Sequence, residues 1–149
     1  GRYVTYLDGE CVEQEIRGME VSGNVSAVSG LGFVRKMLVE KQREMGKCGG
    51  VVMDGRDIGS VVFPDAEVKF FMTASPEVRA KRRYDELVQK GEKVDYKDVE
   101  NNVRQRDYLD EHRQESPLKK TDDAVLIDNS HMTIEEEVEY MLETIRHKQ

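Results

Sequence analysis

Three short apolar runs constrain this chain more than any other feature. They are Val51-Val52-Met53, the Glu67 to Thr73 stretch with Val68, Phe70, Phe71 and Met72, and Ala124-Val125-Leu126-Ile127. Each is apolar on both faces, the pattern of strands buried in a parallel sheet. Helical segments lie between and after them. Ser75-Pro76-Glu77 puts Pro at the first helical position and an acid in the first turn, and that helix runs to about Lys90, where Gly91 stops it. Asp95 caps a helix reaching about Arg113. Thr133-Ile134-Glu135-Glu136 is a capping box for a last helix, which ends in Arg146, His147 and Lys148 near its negative pole. Strands alternating with helices predict an α/β fold with a parallel sheet.

The first third reads differently. Tyr3 to Leu7 alternates and is rich in β formers, Asp8-Gly9 suits a type I′ turn, and Cys11-Val12 follows, so a short hairpin is expected. Glu13 to Gly30 predicts short helical pieces broken by Gly18, Gly23 and Gly30. Val34, Met37, Leu38, Lys41 and Met45 share one helical face, with Gly46 placed at the C-terminal cap. The 149 residues amount to about one domain.

Charge narrows the function. A net charge of −7 argues against a general nucleic-acid binder, yet local Arg clusters can still hold a small anion. No apolar run approaches a membrane span, and Gly1-Arg2-Tyr3-Val4-Thr5 has no signal-peptide layout. Cys11 and Cys48, with His112, His131 and His147, make no zinc pattern; reduced thiols and a cytoplasmic location are the simplest reading.

Three clusters could carry chemistry. Asp54-Gly55-Arg56-Asp57-Ile58-Gly59-Ser60 directly follows the first apolar run, and ligands of open α/β sheets bind beyond the carboxyl ends of strands. Its bland alternative is a solvated turn with a local Arg–Asp pair. On the helix after Asp95, the apolar stripe Tyr96, Val99, Val103 continues as Arg106, Asp110 and Arg113. Charges on a core-facing stripe must be paired or liganded, and Arg suits bidentate contacts with phosphate or base edges; the alternative is a surface ion-pair ladder. Arg79, Arg82 and Arg83, with Lys81, crowd like charges on one helix, which is easier to tolerate where an anion binds; a solvated basic face is the other reading.

Together and in this order, these residues resemble the bacterial cytidylate kinase family, the (d)CMP kinases of the nucleoside monophosphate kinase group. The matching stretches are Glu15-Ile16-Arg17, Glu20-Val21-Ser22, Val34-Arg35, Asp54-Gly55-Arg56-Asp57-Ile58-Gly59 and Val61-Val62-Phe63-Pro64-Asp65-Ala66. They continue with Ala74-Ser75-Pro76-Glu77, Arg79-Ala80, Arg82-Arg83, Arg104-Gln105-Arg106-Asp107, Asp110, Arg113 and Pro117-Leu118. The resemblance covers essentially the whole chain, and its Gly-Arg-Asp-Ile-Gly to Phe-Pro-Asp-Ala block is highly specific.

The resemblance implies a P-loop kinase-like parallel sheet with flanking helices, a small monophosphate-binding subdomain over residues 1–48, and a core over 49–149 with a lid at about 75–113. It implies transfer of the ATP γ-phosphoryl group to CMP or dCMP, with Mg²⁺ accompanying ATP, in a cytoplasmic monomer with no nucleic-acid or membrane partner. Ser26, Arg35, Asp57 and Arg113 fall at cytosine-recognising positions, with Asp57 expected to pair with Arg113. Arg106 and Asp110 fall on the sugar and phosphate side, and Arg56 near the monophosphate; these three are the candidate catalytic residues. Arg79, Arg82 and Arg83 match a lid over the ATP phosphates. UMP or AMP kinases fit the Arg56-Asp57 and Arg106-Asp110-Arg113 pattern less well.

One departure stands out. The family's Gly-rich phosphate loop, G-x-x-x-x-G-K-[ST], does not occur in these 149 residues. The resemblance therefore implies a chain truncated before the hairpin, lacking the family's first, central strand, and inactive by itself. A non-catalytic nucleotide-binding or interaction module that keeps only the CMP site is the competing reading.

Overall fold

The computed structural model describes residues 4–148, without the side chain of Ser26. Tyr3, expected to open the hairpin, lies outside the described residues. The hairpin itself forms: β1 (Tyr6–Leu7) pairs antiparallel with β2 (Glu10–Cys11). Asp8 and Gly9 both take positive φ, 51° and 88°, as a type I′ turn requires. Behind it, Glu13 accepts a hydrogen bond from Thr5 N at 3.0 Å and another from Arg17 Nε at 2.7 Å.

A 3-10 turn (Glu15–Arg17) ends at Gly18, and α1 (Met19–Ser29) follows as one unbroken helix. The expected break at Gly23 does not occur. Glycine costs a helix interior about 1 kcal/mol relative to Ala, less than tertiary packing supplies, and α1 packs against α2, α4 and the 3-10 turn. α2 (Gly32–Gly46) forms where expected but turns a different side inward. Met37, Leu38 and Met45 are exposed, while Arg35, Val39, Gln42 and Gly46 are part-covered. The apolar stripe is overruled because Arg35 has a buried carboxylate to meet.

Only two of the three apolar runs form strands. β3 (Phe70–Thr73) and β4 (Val125–Asp128) pair in parallel, Phe70 opposite Val125 and Thr73 opposite Asp128. Val51–Met53 is not a strand: no described strand lies beside it, and Val52 is 97% exposed. An extended run without a ladder partner has its backbone groups left to water, whatever its composition. It leads through Asp54–Asp57 into a single wide helical turn, Ile58–Val62.

The capping signals hold. α3 (Pro76–Gln89) starts at Ser75, whose hydroxyl accepts from Val78 N at 3.3 Å, and Gly91 beyond its end takes φ 82°. α4 (Tyr96–His112) starts at Asp95, whose carboxylate accepts from Lys97 N at 2.7 Å. α5 (Ile134–Lys148) has its reciprocal box: Thr133 N donates to Glu136 Oε2 at 2.8 Å, and Glu136 N to Thr133 Oγ1 at 3.2 Å.

α3 and α4 pack together around Ala80, Leu87 and Val99, with Tyr84 and Tyr96 edge to face at 5.7 Å. Val62, Ala74 and Ile127 extend this core to the wide turn and the strands. Just before β3, the buried Lys69 donates to Pro64 O and ion-pairs with Asp123 at 2.6 Å.

Candidate functional site

The charged continuation of the α4 stripe turns inward, as its spacing requires. Asp110 is buried and takes Arg56 Nε on Oδ2 at 2.9 Å, while Arg113 Nη1 stands 3.6 Å from Oδ1. Leu118 N donates to Asp110 O at 2.8 Å, folding the segment after α4 back over the site. Within that segment Ser116 takes φ 50° and offers its carbonyl to Arg113 Nε at 2.6 Å. One turn earlier on α4, Arg106 Nη1 donates to Ser22 Oγ of α1 at 3.1 Å.

Asp57 is also buried, but its partner is Arg35 on α2. The expected Asp57–Arg113 pair is therefore corrected. Arg35 reaches Asp57 from the first turn of α2 and also donates to Ser29 O at 3.0 Å, whereas Arg113 turns to Asp110 and Ser116. Asp57 still bears on Arg113, as an attraction that partly offsets repulsion from Arg35.

The balance of charge is informative. Arg35, Arg56, Arg106 and Arg113 face the carboxylates of Asp57 and Asp110. Burial, then the neighbouring Arg56, pushes the Arg106 pKa below the usual guanidinium value; burial, then Arg35, does the same to Arg113. Arg35 Nε, Arg106 Nε and Arg113 Nη2 are buried with no hydrogen-bond partner among the described residues. Buried donors without acceptors cost about 1–3 kcal/mol each, and more when charged. Four guanidinium groups with spare donors and two carboxylates are suited to an anionic ligand that also carries planar acceptors.

The three arginines of α3 have different surroundings. Arg79 makes a fork to Asp107, at 2.7 and 2.6 Å, whose hydrogen bonds raise its pKa. Arg82 reaches past the end of β4 to Asn129, donating to its Oδ1 at 2.9 Å and its carbonyl at 2.7 Å. Arg83 bonds Glu86 at 2.8 Å and Arg17 O at 2.9 Å. The crowding of like charge on α3 is thus relieved by protein acceptors. Arg83 also lowers the Arg106 pKa by like-charge repulsion.

Arg35, Arg56, Asp57, Arg106, Asp110 and Arg113 come together in one charged cluster, while Arg79 and Arg82 sit on other partners; the side chain of Ser26 is outside the description. Sequence reasoning missed Asp107 and Asn129, which hold Arg79 and Arg82, and gave Ser22 no role. Asp107 lies within the Arg104-Gln105-Arg106-Asp107 block, so its signal was present; Asn129 has none, since it meets Arg82 only across the fold. Among the described residues no three His, Cys, Asp or Glu side chains converge as a metal cluster.

Comparison with known proteins gives the family. A family model described as Cytidylate kinase matches residues 2–147. Relatives named cytidylate kinase from Parabacteroides distasonis and Bacteroides fragilis are 64% and 58% identical to this chain over 143 and 142 residues, or 96% and 95% of it. Another from Flavobacterium johnsoniae is 57% identical over 140 residues, 94% of the chain. The chain spans 62% of the length of the first two and 61% of the third. With the family model covering nearly every residue, this chain belongs to the cytidylate kinase family.

Proposed function

We propose that the protein carrying this chain transfers the γ-phosphoryl group of ATP to CMP or dCMP, giving ADP and CDP or dCDP. The observation that carries this reading is the set of three buried guanidinium donors without partners, on Arg35, Arg106 and Arg113. A cytidine monophosphate offers what they lack: a phosphate with up to two negative charges, a base carbonyl and an acceptor ring nitrogen. Arg106, held by Ser22, and Arg56, held by Asp110, take the phosphate side. Arg35 and Arg113, with Asp57 and Ser26, take the cytosine. A base that leaves these groups unpaired is penalised.

In the transfer, the bond from the γ-phosphorus to the β,γ-bridging oxygen breaks, and a bond to a CMP phosphate oxygen forms. Such reactions depend on positioning and on neutralising the equatorial oxygens, which suits an arginine-rich site without a general base. Mg²⁺ accompanying ATP would supply screening of its phosphate charge. Residues 1–48 serve as the monophosphate-binding part and 49–149 as the core. α3 and α4 form a lid in which Arg79, Arg82 and Arg83 exchange their protein acceptors for ATP phosphate. Neutralising Arg79 and Arg82 together is expected to lower turnover far more than CMP affinity measured without ATP; isothermal titration beside steady-state rates checks this.

The test joins this chain to the remainder of the Parabacteroides distasonis relative and measures ADP formation with ATP, Mg²⁺ and each of CMP, dCMP, UMP and AMP. Preference for CMP and dCMP supports the reading, and equal use of UMP or AMP overturns it. The 149-residue chain by itself is expected to bind CMP weakly and form no ADP. A binding module remains the second reading, because all three lid arginines are engaged by protein groups. It is favoured if the joined protein binds CMP and forms no ADP.

A further inference from the structure

α2 grips the segment after Asp57 at three places along one side. In its first turn Arg35 ion-pairs with Asp57. Two turns on, Arg43 donates from Nε to Val62 O at 3.1 Å and from Nη2 to Val61 O at 2.7 Å. At its last residue, Gly46 lies so close to the Phe63 ring that a Cβ there would clash with Phe63 Cζ. Residues four and eight apart recur on one helix side, and Arg35 and Arg43 are roughly 12 Å apart along the axis.

The segment they hold is the wide turn Ile58–Val62. Val61 N and Val62 N donate to Asp57 O at 2.8 and 3.2 Å, and Phe63 N to Ile58 O at 2.7 Å. Turns of this width are rare and frequent at functional sites. A helical turn leaves its last carbonyls without donors from within, and here one guanidinium supplies both. The carbonyl that opens the turn belongs to Asp57, so the position of the turn is also the position of the Asp57 carboxylate.

We propose that Arg43, backed by Gly46, is a positioning residue that fixes the wide turn on α2 and thereby sets how Asp57 meets Arg35, governing affinity and base selectivity for the nucleoside monophosphate. This rests on the reading of the site given above. Arg43 touches no substrate; it acts through Asp57. Arg43 is itself in no ion pair of the charged cluster.

The experiment uses the joined full-length protein with Arg43→Met, Arg43→Lys, Gly46→Ala and, as a control on the exposed side of α2, Lys41→Met. Arg43→Met and Gly46→Ala are expected to raise KM for CMP about tenfold and narrow the CMP-over-UMP preference, with kcat and KM for ATP within about twofold of wild type. Arg43→Lys should recover part of the loss, and Lys41→Met should change nothing. In hydrogen exchange, the amides of Val61, Val62 and Phe63 should exchange faster in Arg43→Met. The proposal is overturned if Arg43→Met keeps wild-type KM for CMP and wild-type amide protection. It is equally overturned if KM for CMP and KM for ATP both rise while kcat and Tm both fall, since that marks a scaffold residue. A wild-type protein that phosphorylates no CMP overturns the substrate reading, and the selectivity claim with it. The exchange of residues 61–63 then decides by itself whether Arg43 holds the turn.

Discussion

Arg113 illustrates how one side chain collects several jobs. It ion-pairs with Asp110, bonds Ser116 O and keeps one buried donor unspent. If that donor reads cytosine, Arg113→Met in the full-length protein should weaken CMP use by about 1–3 kcal/mol, the scale of a bidentate Arg–base contact. UMP should lose less. Steady-state kcat/KM for the two nucleotides checks this, and equal losses would make Arg113 a general phosphate clamp. Lys69 and Asp123 form a contrasting pair, away from the site. Lys69 holds the Asp123 carboxyl at about 2, against an ordinary 3.8. A depressed acid stabilises the folded state above its unfolded pKa, and the gain is lost as pH falls through the window from 3.8 to about 2. Thermal melts across that window should therefore show a steeper loss of Tm in wild type than in Lys69→Met. At neutral pH, Asp123→Asn should lower Tm more than Lys69→Met does. It strands a buried ammonium, whereas the reverse change leaves an exposed carboxylate to water.

Among the elements, α1 shows how weakly one glycine speaks. Gly23 sits mid-helix, and a Cβ there would meet nothing within 4 Å. Gly23→Ala should accordingly stabilise the protein by about 0.5–1 kcal/mol, read as a raised midpoint in urea unfolding at unchanged m. The helices α3, α4 and α5 start where Ser75, Asp95 and Thr133 indicated, because a cap is a contact between residues two or three apart. α2 differs: of the face shared by Val34, Met37, Leu38, Lys41 and Met45 only Val34 is part-covered, and what the helix meets is Asp57 and the wide turn, residues well removed in sequence.

At the scale of the whole molecule, much apolar surface is uncovered. Met72 and Leu126 are exposed on the two-stranded sheet, Val52 in the extended run before Asp54, and Ile134, Val138 and Leu142 along α5. Exposed strand edges and apolar patches favour association. The 149-residue chain is expected to self-associate as its concentration rises, by sedimentation velocity, and the Val52→Lys, Leu142→Lys double variant to do so less. A monodisperse monomer at high concentration would refute this.

The sequence by itself determined what depends on near neighbours or on helical period. The Asp8-Gly9 turn, the three caps and the stop at Gly91 follow from local backbone chemistry. Arg106, Asp110 and Arg113 share the inward face of α4 because residues three and four apart must. Only the tertiary structure decided that Asp57 meets Arg35 rather than Arg113, that Asp107 and Asn129 hold the α3 arginines, and that Val51–Met53 does not join a sheet. Each of those outcomes is a competition between partners far apart in the chain. Which partner wins depends on where whole elements pack, and neither composition nor spacing carries that distance.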